Sequence, residues 1–320
     1  MLLAAVLALP CVYWLQGPET TPAVKAAGIE RLCVPEEAAP SWRDSGIAVT
    51  AITPSELRAR EVLPAPGLLV QPELASATRS PWLTANGWRF IRNPGGRYLY
   101  DLPAGTGLLA ASEVLAYGAD ALLKIDAADL PAVGHLLAQF TELPERALPN
   151  AADIGVVDDN SAEAGELMNL LVRRNLLFRR VDLQTPHDRY SVVVRLGTRD
   201  YTRKEAADPS ELALKIRRQL TDARRTLRIF GSEVVIARFT ADDTRARLHL
   251  LNYGGRTLEG LRVRLRGAYR VSQAWALGSG SVVPTDVTAS GDAIEFSLPS
   301  LERYVVVDLD RVAKRRDRGE

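Results

Sequence analysis

An α/β protein that gives way to an all-β one is the fold class this chain predicts. Three observations carry that reading. Short, continuously apolar runs alternate with helical segments from Val12 to about Leu143. A second strand–helix–strand unit opens after Pro144–Asn150. From Leu227 onward the pattern becomes apolar–polar alternation broken by Gly- and Asp-containing turns. Runs that are apolar throughout suit parallel strands buried on both faces, whereas alternation suits strands with one solvated face.

Taken in order, the first stretch, Leu2 to Leu15, is apolar and short for a membrane span, but right for an export leader. Residues 1–11 are therefore read as a signal segment, with cleavage near Pro10. Val12–Leu15 reads as the first strand. It is followed by helix Pro22–Ala27, strand Ile29–Val34, helix Glu36–Arg43, strand Ile47–Ile52 and helix Ser55–Arg60. Gly28 and Gly46 stand just after helices, where a left-handed cap is wanted. Gly87–Asp126 predicts strand Trp88–Ile91, a turn at Asn93–Gly96, strand Tyr98–Asp101, helix Thr106–Tyr117 and strand Ala121–Ile125. A helix of about a dozen residues is what a parallel crossover needs. Leu130–Phe140 adds a helix, so 12–143 reads as a βα-repeat domain, either a small or partial TIM-like barrel or an open sheet.

Residues 151–224 read as a flavodoxin-like βαβ unit: strand Ile154–Val157, helix Ala162–Arg174, strands Leu177–Val181 and Ser191–Leu196. Asp208-Pro209-Ser210-Glu211 then opens a helix, Asp208 as its cap and Pro209 in its first turn. Strands Val234–Thr240 and Arg245–Asn252 flank a turn at Asp242-Asp243. Leu261–Arg266, Tyr269–Ala276, Ala293–Leu298 and Arg303–Leu309 complete a sandwich over 227–310. Arg245, Arg247 and His249, like Arg262, Arg264 and Arg266, take the outward positions and read as solvated faces. Residues 311–320 form a charged tail.

A formal net charge of +1 supplies no field for nucleic acid or an anionic membrane. The two cysteines, Cys11 and Cys33, make no disulfide framework, and Cys33 reads as a small buried hydrophobe. His135, His187 and His249 are widely spaced, and Asp158-Asp159 has no histidine beside it, so neither a metal nor a cofactor is expected. Gly105-Thr-Gly107-Leu-Leu-Ala110 has dinucleotide-fingerprint spacing, but Asp101 and Pro103 interrupt the incoming strand, which favours a tight strand-to-helix turn.

Chemistry is sought at the carboxyl ends of parallel strands. Asp101 and Asp126 end consecutive strands, and Glu19 follows the first one. Two carboxyls roughly 5–10 Å apart would serve as acid and base on a glycosidic bond. Trp88, Tyr98 and Tyr100 would offer sugar-stacking rings. Against this, aspartates after strands cap helices and aromatics fill cores.

Ala152-Asp-Ile-Gly-Val-Val-Asp-Asp159 with Leu171-Val-Arg-Arg-Asn175, Arg247-Leu-His-Leu-Leu-Asn-Tyr253 with Leu261-Arg-Val-Arg-Leu265, the ending Tyr304 to Leu309, and Ala85-Asn-Gly-Trp-Arg-Phe90 carry a resemblance. In that order they resemble the multidomain thermophile-type β-galactosidases. The resemblance implies a βα barrel, a glutamine-amidotransferase-like middle domain that assembles homo-oligomers, and a C-terminal β-sandwich. The family's barrel is more than twice as long as 12–143, and its Asn-Glu pair and nucleophilic glutamate have no counterpart here. The resemblance thus implies a reduced relative; with the apolar leader, the chain reads as an exported, non-catalytic carbohydrate-binding or assembly module, and a hydrolase using Asp101 and Asp126, with Glu19, is the alternative.

Overall fold

The computed structural model describes residues 10–69, 82–143, 148–184, 188–290 and 292–312. Residues 1–9 of the expected leader, 144–147 of the expected linker, His187 and 313–320 of the tail lie outside them. The chain divides into two compact units, with described residues 10–69 and 82–143 in the first and 148–312 in the second.

The first unit holds strands β1 (Cys11–Tyr13), β2 (Arg31–Pro35), β3 (Ala48–Ile52), β4 (Glu61–Leu63), β5 (Gly67–Leu69), β6 (Trp82–Thr84), β7 (Arg97–Asp101) and β8 (Asp120–Lys124). Its helices are α1 (Thr21–Ala26), α2 (Pro54–Arg58), α3 (Gly87–Arg92), α4 (Gly107–Tyr117) and α5 (Leu130–Glu142). Six strands form one sheet in the order β3-β2-β1-β8-β7-β4, parallel throughout, and β5 and β6 pair apart as a hairpin. Side chains alternate across the sheet. Val12, Leu32, Val34, Tyr98, Tyr100 and Leu123 are buried on one face. Cys11, Tyr13, Cys33, Leu99 and Leu122 cluster on the other with Ile52 and with Leu57 of α2.

That second face is layered by register. Arg97 lies beside Asp120, Leu99 beside Leu122, and Asp101 beside Lys124. Its amino end is closed by ions: Arg60 reaches Asp120 at 2.8 Å, and Glu56 of α2 pairs with Arg97. Its middle is apolar, and its carboxyl end is the rim described below.

Two expectations are corrected in this unit. Trp88–Ile91 is helix α3 rather than a strand. Gly87 and Phe90 are its buried residues, a helical spacing, and a Cβ at Gly87 would sit 2.3 Å from the Tyr117 ring of α4. The alternation of Trp88 and Phe90 mimicked a strand period over too few residues to separate the two. Cys33 is not free: it forms a disulfide with Cys11. Tyr13 pairs with Cys33 across β1 and β2, which brings the two cysteines to a Cα–Cα distance of 5.8 Å although 22 positions separate them.

The second unit begins with β9 (Ile154–Val157), α6 (Ala162–Arg173), β10 (Phe178–Val181), β11 (Val192–Arg195), α7 (Arg203–Ala206) and α8 (Pro209–Arg224). Its parallel sheet runs β10-β9-β11, and Asp208 caps α8 through Glu211 N at 3.1 Å. The strands β12 (Leu227–Phe230), β13 (Val235–Ala241), β14 (Arg245–Asn252), β15 (Leu258–Arg266), β16 (Tyr269–Ala276), β17 (Gly280–Ser281), β18 (Thr285–Ser290), β19 (Ala293–Leu301) and β20 (Tyr304–Arg311) follow. They make two sheets, β12-β15-β19-β18 and β13-β14-β20-β16-β17, around one apolar core. Asn175, in the turn after α6, clamps β13: its Nδ2 donates to Val235 O at 2.8 Å and its Oδ1 accepts from Ala237 N at 2.7 Å.

Arg247 and His249 depart from the solvated-face expectation, because both are buried. Each is matched on the neighbouring strand. Arg247 donates to both carboxylate oxygens of Asp308, at 2.7 and 2.9 Å, and His249 Nδ1 lies 2.7 Å from the Tyr304 hydroxyl. Alternation reports which side of a strand a residue takes, not whether that side meets water.

Candidate functional site at the carboxyl rim

Parallel strands β1, β8 and β7 lie side by side and end at one rim. Tyr13, Lys124 and Asp101 therefore share a face at that end. Lys124 Nζ donates to Asp101 Oδ2 at 2.8 Å, with both side chains substantially exposed. Burial, then the nearby Glu37 carboxylate, push the Tyr13 hydroxyl above its ordinary pKa, while Lys124 acts in the opposite sense. An ion pair, a phenol and the Glu37 carboxylate thus converge within electrostatic reach.

Of the three carboxylates expected to act, only Asp101 stands in this group through a side-chain partner. Asp126 caps the short turn Ala127–Asp129, its Oδ1 accepting from Ala128 N at 2.9 Å. Glu19 lies in the turn after β1, with Oε1 accepting from Gly17 N at 3.0 Å. Replacing Asp126 by alanine is expected to cost about 0.5–2 kcal/mol, the usual loss of a helix cap. A urea titration of the Asp126→Ala protein checks it, and an unchanged midpoint would show that the cap contributes nothing.

The expected sugar-stacking residues lie on the opposite side. Tyr98 and Tyr100 are buried on the face that packs against α3 and α4, since they alternate with Leu99 and Asp101. The Tyr98 hydroxyl donates to Asn93 O at 2.9 Å, and the Tyr100 hydroxyl to the buried Glu113 carboxylate at 2.7 Å. Burial, first, and then Glu113 raise Tyr100 well above the usual phenol range. Trp88 lies on α3 with the Arg89 guanidinium 4.4 Å from its ring centre.

Lys124, Tyr13 and Glu37 are the residues that sequence reasoning missed. A signal for the first was present. Arg97-Tyr-Leu-Tyr-Asp101 and Asp120-Ala-Leu-Leu-Lys124 carry opposite charges at both ends, which in-register parallel pairing sets side by side. The Gly105–Gly107 turn shows a different economy. Its amides already have an anion, because Gly105 N donates to the Asp129 carboxylate at 3.0 Å and Gly107 N at 3.2 Å.

No protein-family model matches the sequence, and no curated protein matches it. Solved structures do match in fold. The chain is similar to an α-L-fucosidase, isoenzyme 2, from Paenibacillus thiaminolyticus, at 11% identity and a TM-score of 0.56, over 87% of this chain and 70% of that one. A catalytic mutant of a β-galactosidase from G. stearothermophilus aligns at 9% identity and a TM-score of 0.40, over 78% and 55% of the two chains. A rhamnosidase from Novosphingobium sp. aligns at 9% identity and a TM-score of 0.46, over 88% and 39%. The chain thus spans about half the length of the latter two or less. At this level of identity the likeness to the α-L-fucosidase is one of fold.

Proposed function

We propose that this chain is an exported, glycosidase-like protein that binds carbohydrate at the carboxyl rim of its parallel sheet without cleaving it. One observation carries the reading: each of the three expected acid–base carboxylates already has a partner. Asp101 faces Lys124, and Asp126 and Glu19 hold backbone amides of their own turns. Glycosidic cleavage needs two carboxyls set across the scissile bond. An ion pair beside a phenol instead offers donors and acceptors together, which suits neighbouring sugar hydroxyls. The Cys11–Cys33 disulfide supports export, because such bonds persist in oxidising compartments.

The hydrolase alternative keeps one favourable observation. Asp101 and Asp126 follow neighbouring parallel strands, about 4.8 Å apart. Titrating the protein with a panel of p-nitrophenyl glycosides while recording heat and nitrophenolate separates the two readings. Saturable heat without nitrophenolate is expected, with at least tenfold weaker binding in Asp101→Asn and Lys124→Met. Nitrophenolate release that Asp101→Asn abolishes would replace the binding reading with the hydrolase, and neither signal would overturn both.

A further inference from the structure

The outer face of the β12-β15-β19-β18 sheet carries more arginine than its ion-paired carboxylates balance. Leu227, Leu261, Val263 and Leu265 fill the sandwich core, so the residues alternating with them point outward. Across the β12–β15 ladder Arg228 stands directly opposite Arg264, and Phe230 opposite Arg262. Like charges directly opposite one another destabilise a sheet. The next strand supplies one carboxylate, Glu295, to two guanidiniums: Arg262 at 2.6 Å and Arg264 at 3.5 Å. At the end of α8, Asp222 is likewise shared by Arg225 at 3.4 Å and Arg228 at 3.3 Å.

Water does little to offset this excess at two of the four. The Arg264 side chain is 20% exposed and that of Arg225 is 9% exposed. Arg264 Nη1 and Arg225 Nε are buried and, among the described residues, have no hydrogen-bond partner. Burial, and after it the Arg217 charge, hold the Arg225 guanidinium below the usual arginine range. The Arg228 guanidinium lies 4.7 Å from the Phe230 ring centre, so an aromatic surface adjoins the cations.

We propose that this sheet face binds an acidic polysaccharide, its carboxylate or sulfate groups seated among Arg228, Arg262 and Arg264 with a sugar ring against Phe230. The inference rests on the carbohydrate reading above but concerns a different unit of the chain. An anion bound between Arg228 and Arg264 turns their repulsion into two charge-assisted contacts. A net charge of +1 gives the chain no long-range field of the kind nucleic-acid binders use, so recognition here is local.

The test is retention of the full chain on immobilised polygalacturonate, dextran sulfate, neutral dextran and a DNA duplex at low salt. Binding to one or both acidic polymers, none to neutral dextran, and weaker binding to DNA are expected; which polymer binds identifies the anionic group. The Arg228→Gln/Arg262→Gln protein should bind at least tenfold more weakly with a melting temperature no lower than that of the wild type, and the corresponding double lysine protein should recover part of the loss. Lys124→Met should leave polymer binding intact, even where it abolishes glycoside binding at the rim. No retention on either acidic polymer would overturn the proposal, as would undiminished binding by the glutamine protein. So would DNA held as tightly as the polymers, which would mark a general cation surface, or loss of polymer binding in Lys124→Met.

Discussion

Asp308→Ala is expected to destabilise the second unit by about 3–5 kcal/mol, the cost of breaking a buried ion pair by removing one partner. Arg247 and Asp308 are almost inaccessible, at 3% and 0% exposure, and meet through two parallel hydrogen bonds. Removing Asp308 takes two charge-assisted hydrogen bonds from the buried Arg247 guanidinium at once. The pair links β14 to β20, two interior strands of the five-stranded sheet, where local relaxation is hard. Urea unfolding followed by circular dichroism measures the loss. The Arg247→Met/Asp308→Leu protein should recover most of it, since an apolar pair carries no desolvation penalty. A drop below about 1 kcal/mol in the single variant would show that water reaches Arg247.

Removing the disulfide should weaken the first unit by about 3 kcal/mol, on the chain-entropy account of a loop of this length. The bond joins β1 to β2 within the apolar cluster of Tyr13, Ile52 and Leu122, directly under the rim. The Cys11→Ala/Cys33→Ala protein therefore tests the rim's foundation as well as the fold. The first unit's unfolding transition should move while the second unit's stays. Two reactive thiols in the native wild type, with identical melting of the double variant, would contradict the assignment.

Much of the architecture was legible because it rests on local chemistry. Asp208, Pro209 and Glu211 announce α8, and Asp126 before Ala127-Ala128 announces a cap, through hydrogen bonds that span only a few residues. The hairpin at Asp242 is equally local: its carboxylate accepts from Thr244 N and Arg245 N, each at 2.7 Å. What was missed depends on partners distant in sequence. Lys124 meets Asp101 only through parallel register, Cys11 meets Cys33 across a crossover, and Arg247 meets Asp308 across 61 positions. Tyr98 and Tyr100 show the limit from the other side. Their strand was placed correctly, but strand parity had to be tied to the helix-covered face before their rings could be assigned to the core. A strand end marks a rim; which side chains reach it is decided by neighbours.

The central claim is that sugar docks on the Asp101–Lys124 pair, and amine footprinting addresses it most directly. Lys124 is one of five lysines, and Lys25, Lys204 and Lys215 serve as internal references within the described residues. The chain is acylated with and without saturating p-nitrophenyl glycoside, and each lysine is read by mass spectrometry. Selective protection of Lys124 by at least threefold, lost in Asp101→Asn, is the expected result. Unchanged Lys124 labelling under conditions where calorimetry registers bound glycoside would contradict the rim as the binding site.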